Sequence, residues 1–470
     1  ASASASASAS AAPAAPSSAP ASASPKAQPA VTLVAGKTPI NHVVVIYMEN
    51  RSFDSLYGLF PGAEGINEAK YAPQVDKDGK PYATLPQVMN TNFKPAIPES
   101  RVPEDLPNKP FDISQFVQSD WNLGDLVHRF YQEQMQIDGG KMDKFALISD
   151  AQGEVMGYYD ATKLPLGAVA KQYVLADHFF HAAFGGSFLN HFWLVCACSP
   201  RFDNAPADMV AKPLPDGTSL PQDENGKPTN DGSVTPDGFG INTMYTSYKP
   251  HPASAKPEVL VPPQTMPHIG DRLDEKKISW AWYSGGWDDA MAGKPDDLFQ
   301  FHHQAFAFFK DLADGTDAKA LHLRDEKDFM EAVKSPTTLP QVVFIKPLGP
   351  DNEHPGYATT IRGEQHAVSL IKAIQDSPNW KDTAIIVTYD EHGGFWDHVA
   401  PPKGDRWGPG SRVPAIIASP YAKKGFVDKT VYDTTSILKF IEVNWGLQPL
   451  GDRDAKVNSL DNAFDFSQKP

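Results

Sequence analysis

The sequence feature that most constrains the fold is a set of short apolar runs that stop abruptly at polar residues. The first run, Asn41–Asn50, is almost continuously apolar until it ends in Glu49 and Asn50. Runs of this length and composition are typical of strands buried on both faces of a parallel sheet. Three further segments have the same pattern: Gln341–Pro347, Thr383–Glu391 and Pro414–Ser419. The sequence therefore predicts four buried parallel strands.

Helical patterns lie between these strands and set the fold class. Two of them cover Ala358–Asp376 and Tyr432–Trp445. Strands that alternate with helices predict an α/β fold, in which a mostly parallel central sheet is flanked by helices on both faces. Ligands of such sheets bind outside the carboxyl ends of the strands. The polar residues at those ends are therefore the first candidates for a functional site.

The domain organisation is predicted from composition. Residues 1–36 begin with a stretch of alanine, serine and proline and are predicted to form a flexible tail. Residues 37–470 are predicted to be one domain, with loop insertions near 86–110 and 200–267 where periodicity is weak. Because such a tail is typical of a chain that has lost a signal peptide, we expect an exported protein, periplasmic or secreted.

Charge excludes several classes of partner. The chain has 42 basic and 57 acidic residues, which gives a formal net charge of −15. A field of that sign repels nucleic acids and anionic membrane surfaces, so we expect no nucleic-acid partner. No uncharged apolar run reaches the roughly 18 residues that a membrane span needs, so integral membrane association is not expected. A phosphate-bearing substrate would have to meet a local cation or a metal.

The two cysteines of the chain, Cys196 and Cys198, are separated by a single residue. A disulfide between them would close a tight, strained ring. Cysteine without a disulfide behaves as a small apolar residue and is among the most buried residue types. We therefore expect both side chains to be buried and unbonded.

Acidic and amide side chains follow two of the predicted strands. Glu49 and Asn50 follow the first strand, and Asp390 and Glu391 follow the third. If those strands are neighbours, three carboxylates would repel one another and shift their pKa values unless a cation lay between them. Hard oxygen ligands suit one divalent metal ion, and calcium, magnesium, manganese, iron and zinc all remain open. The alternative is that acidic residues simply mark where strands reach solvent.

A glycine-rich turn precedes Ser187. Two glycines permit a tight turn, and a serine placed after it would begin a helix. The backbone N–H groups at such a helix start favour an incoming phosphate or a developing alkoxide. Serine becomes a useful nucleophile only when a base or a metal activates it. The alternative is an ordinary serine cap at the helix N-terminus.

Several histidines are candidates for proton transfer. Histidine changes charge between about pH 5 and 8 and can protonate a leaving group or hold a phosphoryl oxygen. The candidates are His128, the pair His302 and His303, and His354, which follows a predicted strand. His398 is expected to brace the loop below the acidic residues. Each of these side chains could instead be structural.

Four motifs together resemble a known family. Val45–Asp54, Gly185–Asn190, Pro355–Tyr357 and Tyr389–Pro402 are similar to those of the bacterial phospholipase C/acid phosphatase phosphoesterases of the alkaline phosphatase superfamily. The resemblance implies an alkaline-phosphatase-like α/β fold and cleavage of phosphate monoesters or of the phosphodiester of phospholipids. The Gly-Gly-Ser turn and the paired histidines resemble the acid phosphatase branch more closely.

The resemblance also implies roles for individual residues. It implies that a metal is held by Glu49, Asn50, Ser187, Asp390 and Glu391, that His128, His303 and His354 surround the phosphoryl group, and that Asn190 and His302 bind substrate. The expected protein is a metal-dependent acid phosphatase that hydrolyses small phosphate monoesters through a phosphoserine. One alternative is a phospholipase C. The other is a non-catalytic surface binding protein stabilised by a metal, against which an intact serine argues.

Overall fold

An eight-stranded sheet forms the centre of the protein. The computed structural model describes residue 26 and residues 29–67 and 69–470. In chain order the strands are β1 (His42–Met48), β2 (Val174–Ala176), β3 (Trp280–Ser284), β4 (Leu323–Asp325), β5 (Val342–Lys346), β6 (Thr383–Tyr389), β7 (Ala415–Ala418) and β8 (Phe426–Asp428). Their order across the sheet is β4-β3-β5-β1-β6-β7-β2-β8.

The strand directions confirm a mostly parallel sheet. β1 pairs in parallel with β5 on one side and with β6 on the other. β7 alone is reversed within this sheet, because it is antiparallel to both β6 and β2. The prediction that Pro414–Ser419 is a parallel strand is therefore wrong. No α-helix lies between β6 and β7, and without a helical crossover the chain enters the sheet antiparallel.

Helices cover the sheet on both faces. All seven residues of β1 and all seven of β6 are buried, although successive side chains of a strand point to opposite faces. The α-helices are α1 (Phe53–Tyr57), α2 (Phe130–Ile137), α3 (Phe145–Ile148), α4 (Pro165–Gln172), α5 (Ser187–Cys196), α6 (Ile269–Glu275), α7 (Trp287–Met291), α8 (Asp317–His322), α9 (Glu326–Ala332), α10 (Thr360–Gln375), α11 (Thr435–Trp445) and α12 (Asp452–Lys456). The two predicted helices correspond to α10 and α11. In the part of the chain that the structure describes, no helix is both long and apolar enough to cross a membrane.

The two predicted insertions contain little regular structure. Within 86–110, the residue pairs Met89–Asn90 and Ile97–Pro98 form a short antiparallel hairpin. Within 200–267, the two named strands, Tyr245–Thr246 and Leu260–Val261, have two residues each and pair in parallel. Both stretches therefore depend on side-chain and loop contacts more than on helices or sheets.

Part of the expected tail packs against the domain. Residues 1–25, 27 and 28, for which flexibility is expected, lie outside the described residues. In the stretch 29–36, the N–H of Val34 donates to Oε1 of Gln341 at 2.8 Å, and Nε1 of Trp445 donates to the carbonyl of Val34 at 3.1 Å. This stretch is therefore attached beside the start of β5.

A disulfide joins Cys196 and Cys198, so the expectation of two unbonded cysteines is wrong. Helix α5 ends at Cys196, and the following residue, Ala197, adopts the left-handed conformation with φ of 47°. That conformation turns the chain back sharply and leaves the two Cα atoms 5.1 Å apart, within the normal range for a disulfide. The disulfide therefore lies at the C-terminal end of α5, whose first residue is Ser187.

Candidate active site

Glu49-Asn50 and Asp390-Glu391 follow two strands that are neighbours in the sheet, which a shared metal site requires. Met48 and Tyr389, the last residues of β1 and β6, are directly paired. The N–H of Asp390 donates to the carbonyl of Met48 at 3.1 Å, and the N–H of Asn50 donates to Oδ1 of Asp390 at 3.1 Å. Glu49, Asn50, Asp390 and Glu391 are all fully buried. The sheet edge therefore brings three carboxylates and an amide together.

The loop after Glu391 reaches Asn50 only because residue 393 is glycine. Gly393 has φ of 63°, and a Cβ atom there would lie 2.4 Å from the carbonyl oxygen of Asn50. The N–H of Gly393 also donates to Oε2 of Glu391 at 2.5 Å. A side chain at this position would strain the backbone and push the two strand ends apart.

Three oxygens of this group are buried without a hydrogen-bond donor. They are Oδ1 of Asn50, Oδ2 of Asp390 and Oε1 of Glu391. The amide of Asn50 is oriented by His128, whose Nε2 accepts from Nδ2 of Asn50 at 3.3 Å while its Nδ1 donates to the carbonyl of Leu126. Buried polar atoms without hydrogen-bond partners are energetically costly. All three are oxygens of the kind that binds hard divalent cations. The residues therefore fit a divalent cation.

The raised pKa values of Asp390 and Glu391 also favour a cation at this site. Burial, together with the nearby Glu49 carboxylate, raises the pKa of Asp390 to about 6. Burial, together with Asp390, raises the pKa of Glu391 well above its usual value. Both shifts mean that the ionised forms of these buried carboxyl groups are costly unless a positive charge lies close to them. A bound cation would reverse them.

Ser187 is the first residue of helix α5 and lies beside this cluster. Its Oγ donates a hydrogen bond to Oε2 of Glu49 at 3.0 Å, and its side chain is buried. The preceding turn needs Gly185, which has φ of 86° and whose Cβ would lie 2.4 Å from the backbone nitrogen of Phe130. The helix start therefore directs the hydroxyl to the sheet edge.

A buried ion pair holds this turn. Oε2 of Glu133, from α2, accepts from the N–H of Gly185 at 2.6 Å, and its Oε1 lies 2.9 Å from Nε2 of His181. The pKa of Glu133 is lowered to about 2, because the attraction of His181 and His392 together with the hydrogen bonds outweighs burial. The pKa of His181 is raised, because Glu133 outweighs the opposing burial. Glu133 is therefore a charged support for the serine turn.

Lys346, His191 and His303 surround Glu49. The ammonium of Lys346, at the end of β5, contacts Oε1 of Glu49. Nε2 of His303 lies 3.1 Å from the same oxygen, and its ring stacks on that of His191 with centroids 4.8 Å apart. Ligand atoms of Glu49, His191 and His303 lie within 4.8 Å of one another. The contact with Lys346 already supplies a cation on this side of Glu49.

His354 lies beside His128, and His302 lies beside His303, with ring centroids 4.4 Å apart. The rings of His354 and His128 have centroids 5.6 Å apart. Nδ1 of His354 donates to the carbonyl of Pro355 at 2.5 Å, which leaves Nε2 to exchange a proton. Burial lowers the pKa of His354, and burial with the nearby His354 lowers that of His302 to about 3. His302 is therefore neutral across the physiological range, and His354 gains a proton only in acid.

Two predicted residues have structural partners. The amide of Asn190 donates to the carbonyl of Ala183 at 2.9 Å and accepts from the N–H of the same residue at 2.9 Å. These contacts hold the amide of Asn190 against the segment that precedes the serine turn, and its expected role in binding substrate stays a prediction. Nδ1 of His398 lies 2.6 Å from Oδ2 of Asp54, at the base of the loop after β6. This contact fits the bracing role expected for His398.

A cavity of about 220 Å³ opens beside Ser187. Its walls are mostly polar or charged and are lined by Lys94, Asp125, Leu126, Val127, His128, Arg129, Asp150, Gly186, Asn242 and Thr243. His128 and Gly186 are the lining residues next to the acids and to Ser187. Because His128 contacts Asn50 and Gly186 precedes Ser187, we infer that this cavity is the approach to the candidate site.

Three side chains of the site were missed by the sequence analysis. Lys346 ends a predicted strand, and a lysine after an apolar run is a signal that could have been used. His191 lies four residues after Ser187, which places both on one side of a helix. Glu133 carries no local signal, because its contact with Gly185 spans 52 residues.

A model of the Phosphoesterase family matches residues 40–448. The chain is 25% identical over 471 residues to the non-hemolytic phospholipase C of Pseudomonas aeruginosa, covering 91% of this chain and 57% of that protein. It is 24% identical over 483 residues to phospholipase C B of Mycobacterium tuberculosis, covering 92% and 79%. The chain thus spans little more than half the length of the Pseudomonas relative.

Among solved structures, the chain is similar to a protein in the alkaline phosphatase superfamily from Vibrio parahaemolyticus. The two chains are 10% identical, the aligned part covers 68% of each, and the TM-score is 0.34. The match of the Phosphoesterase family model, in contrast, covers most of the chain.

Proposed function

The chain belongs to the Phosphoesterase family, and on that premise we propose that it is a metal-dependent phospholipase C that uses Ser187 to cleave the phosphodiester of phospholipids. The observation that carries the proposal is the placement of Ser187. Ser187 is the first residue of α5, and its hydroxyl donates a hydrogen bond to Glu49. The hydroxyl lies beside the acidic cluster, in which three buried oxygens accept no hydrogen bond. The names of the relatives support the phospholipid as substrate.

The metal would be held by Asn50, Asp390 and Glu391 through their unpartnered oxygens, with Glu49 and Ser187 as further ligands. When bound there, a divalent ion supplies electrostatic stabilisation of phosphoryl oxygens and lowers the pKa of a nearby hydroxyl. All other roles fall to the residues of the chain. Glu49 holds the hydroxyl of Ser187, and Glu133 fixes the turn before it.

The reaction then has two steps. Oγ of Ser187 gives its proton to Oε2 of Glu49 and attacks phosphorus while the bond from phosphorus to the glycerol oxygen breaks. A proton on Nε2 of His354 passes to the departing alkoxide. Water next attacks the phosphorylated serine and gives a proton to His354, while the proton held by Glu49 returns to Oγ of Ser187 as the bond from phosphorus to Oγ breaks. Positioning and charge stabilisation are the main requirements of phosphoryl transfer.

A phosphate monoesterase is the second candidate. It is favoured by the polar walls and the modest volume of the cavity beside Ser187, which fit a small charged substrate. Because the metal centre and the serine would serve both reactions, the distinction lies in the substrate alone.

The test compares two substrates with one protein. Monomeric dibutyroylphosphatidylcholine and an alkyl phosphate monoester are supplied at matched concentration, and release of diacylglycerol or of phosphate is measured. Higher kcat/KM for the phosphatidylcholine supports the phospholipase. Higher kcat/KM for the monoester moves the protein to the second candidate, and no turnover of either would indicate a non-catalytic binding protein.

A further inference from the structure

Exposed apolar side chains gather beside the approach to Ser187. Phe93 is 52% exposed, and Ile97 and Trp121 are each 43% exposed. The other large apolar side chains that are exposed in the described part of the chain are dispersed along it: Leu33, Leu214, Leu321, Met330, Val431 and Phe466. Single exposed apolar residues need no explanation, but a group of them next to a functional cavity does.

The hairpin that carries Phe93 is attached to the segment that carries His128. Oγ1 of Thr91 donates to the carbonyl of Asp125 at 2.8 Å, and Nδ2 of Asn92 donates to the carbonyl of Leu123 at 3.2 Å. The residue after Phe93, Lys94, lines the cavity itself. The tip of the hairpin therefore forms part of the rim of the cavity.

Trp121 is connected to the same hairpin. The guanidinium of Arg101 lies 5.3 Å from the centroid of the Trp121 ring, and Arg101 pairs with Glu99. Glu99 in turn accepts from Nδ2 of Asn90, the residue paired with Ile97. We name Phe93, Lys94, Ile97, Arg101 and Trp121 the rim patch. It combines three apolar side chains with two basic ones.

We propose that the rim patch docks the enzyme on the surface of a zwitterionic phospholipid bilayer. Tryptophan and phenylalanine favour the boundary between headgroups and acyl chains, where lysine and arginine extend their charges to the water. Asp120 and Asp125 adjoin the patch, so its local charge is mixed, and the net charge of −15 repels an anionic surface. The chemistry of the patch thus fits phosphatidylcholine.

A protein partner fits the rim patch less well. Stable protein interfaces bury about 800 Å² on each partner, which three apolar side chains on a short hairpin and one loop do not supply. A partner seated there would also cover the cavity that leads to Ser187. A bilayer is in contrast both the surface and the source of substrate.

The docking surface rests on the proposed function and specifies the physical form of its substrate. A cavity of about 220 Å³ is smaller than the pockets of about 300–1,000 Å³ that enclose drug-sized ligands, so it does not hold two acyl chains. With the rim at the bilayer surface, the headgroup and phosphate can enter the cavity while the acyl chains remain in the membrane.

The first experiment measures binding without hydrolysis. Ser187→Ala provides an inactive background, in which the double substitution Phe93→Ser and Trp121→Ser is compared with Phe466→Ser, an exposed aromatic residue outside the patch. Sedimentation with phosphatidylcholine vesicles should show at least about tenfold weaker binding for the double variant, because two partly inserted aromatic side chains are lost. Vesicle binding of the Phe466→Ser control should not change, and the double variant should melt at the same temperature as its Ser187→Ala background.

Vesicles that contain phosphatidylglycerol should bind the protein more weakly than phosphatidylcholine alone. Equal vesicle binding by the double variant and its background would overturn the proposal, as would self-association through Phe93 and Trp121 without vesicle binding.

The second experiment separates docking from chemistry. With Ser187 restored, the double variant should cleave monomeric dibutyroylphosphatidylcholine as well as the unsubstituted chain but lose at least about tenfold on vesicles. If the unsubstituted chain cleaves no phosphatidylcholine although the inactive background binds vesicles through the patch, the phospholipase proposal fails and the docking surface stands. If it cleaves the monomer and the patch does not affect vesicle turnover, the docking surface fails.

Discussion

Oγ of Ser187 donates a hydrogen bond to Oε2 of Glu49 at 3.0 Å, while Lys346 contacts the other oxygen of the same carboxylate. The contact joins the start of a helix to the end of the central strand, which are 138 residues apart in sequence. It places the only hydroxyl that we assign as nucleophile against the acidic cluster.

Ser187→Ala should reduce turnover at least about a thousandfold, because the attacking atom is removed. The free energy of unfolding should fall by only about 1 kcal/mol, the usual cost of one lost hydrogen bond. Steady-state hydrolysis and urea denaturation measure the two effects. Ser419→Ala removes another buried serine away from the site and should keep full activity. Turnover of Ser187→Ala within tenfold of the unsubstituted chain would exclude Ser187 as the nucleophile.

Asp390→Asn should weaken metal binding more than about a hundredfold, since changes to outer-shell partners alone cost about 10- to 100-fold. Activity should fall with metal content. In chelator-treated protein the same substitution should raise the melting temperature, because it removes a buried charge that Glu49 repels. Metal analysis and thermal melting test both parts. If metal content and activity were both unchanged, the acidic residues would not be metal ligands and would only mark the ends of their strands.

If His354 protonates the leaving group, hydrolysis of substrates with alkyl leaving groups should have an acidic pH optimum. Burial lowers its pKa below 6.5, and the proton donor is its charged form, so kcat/KM should fall as pH rises through that lowered pKa. His354→Gln should reduce cleavage of dibutyroylphosphatidylcholine about 100-fold or more, and of 4-nitrophenylphosphorylcholine much less. His42→Gln, at the opposite end of β1, is the matched control. Equal loss on both substrates would instead place His354 on the phosphoryl group.

Glu133→Gln should destabilise the fold by about 3–5 kcal/mol, the usual cost of breaking a buried ion pair from one side. The lowered pKa of Glu133, about 2, means that its contribution is present above its unfolded pKa and is lost as pH falls toward 2. The raised pKa of His181 means that its contribution is present below about 6.5 and is lost as pH rises through the raised value.

Urea denaturation of Glu133→Gln at pH 6 should therefore show the full loss, and kcat should fall because Gly185 loses a charged acceptor. Glu442→Gln replaces another mostly buried glutamate, one without a hydrogen-bond partner on its carboxylate oxygens, and should not destabilise the fold. A loss in Glu133→Gln no larger than in this control would contradict the ion-pair assignment.

The strand ends were predictable because burial leaves a clear trace in sequence. Apolar runs that stop at Glu49 and Asp390 identify β1 and β6, and the parallel pairing of these strands brings the acids together. The three-residue strands β2, β4 and β8 are too short to show periodicity. The reversed direction of β7 depends on a connection without a helix, which no local pattern reveals.

The supporting residues of the site were harder to predict because their contacts are distant in sequence. Glu133 reaches Gly185 from another helix, and Lys346 reaches Glu49 across 297 residues. The disulfide was missed for a different reason. Spacing alone makes a bond between Cys196 and Cys198 unfavourable, whereas the left-handed backbone of Ala197 makes it possible.

The most direct test of the account is to trap the covalent intermediate. The metal-loaded protein is mixed with dibutyroylphosphatidylcholine, quenched in acid during turnover, digested and analysed by mass spectrometry. The account predicts phosphocholine attached to Oγ of Ser187, with the adduct absent from Ser187→Ala. An adduct on a different residue, or full turnover with none on Ser187 while Ser187→Ala remains active, would contradict it.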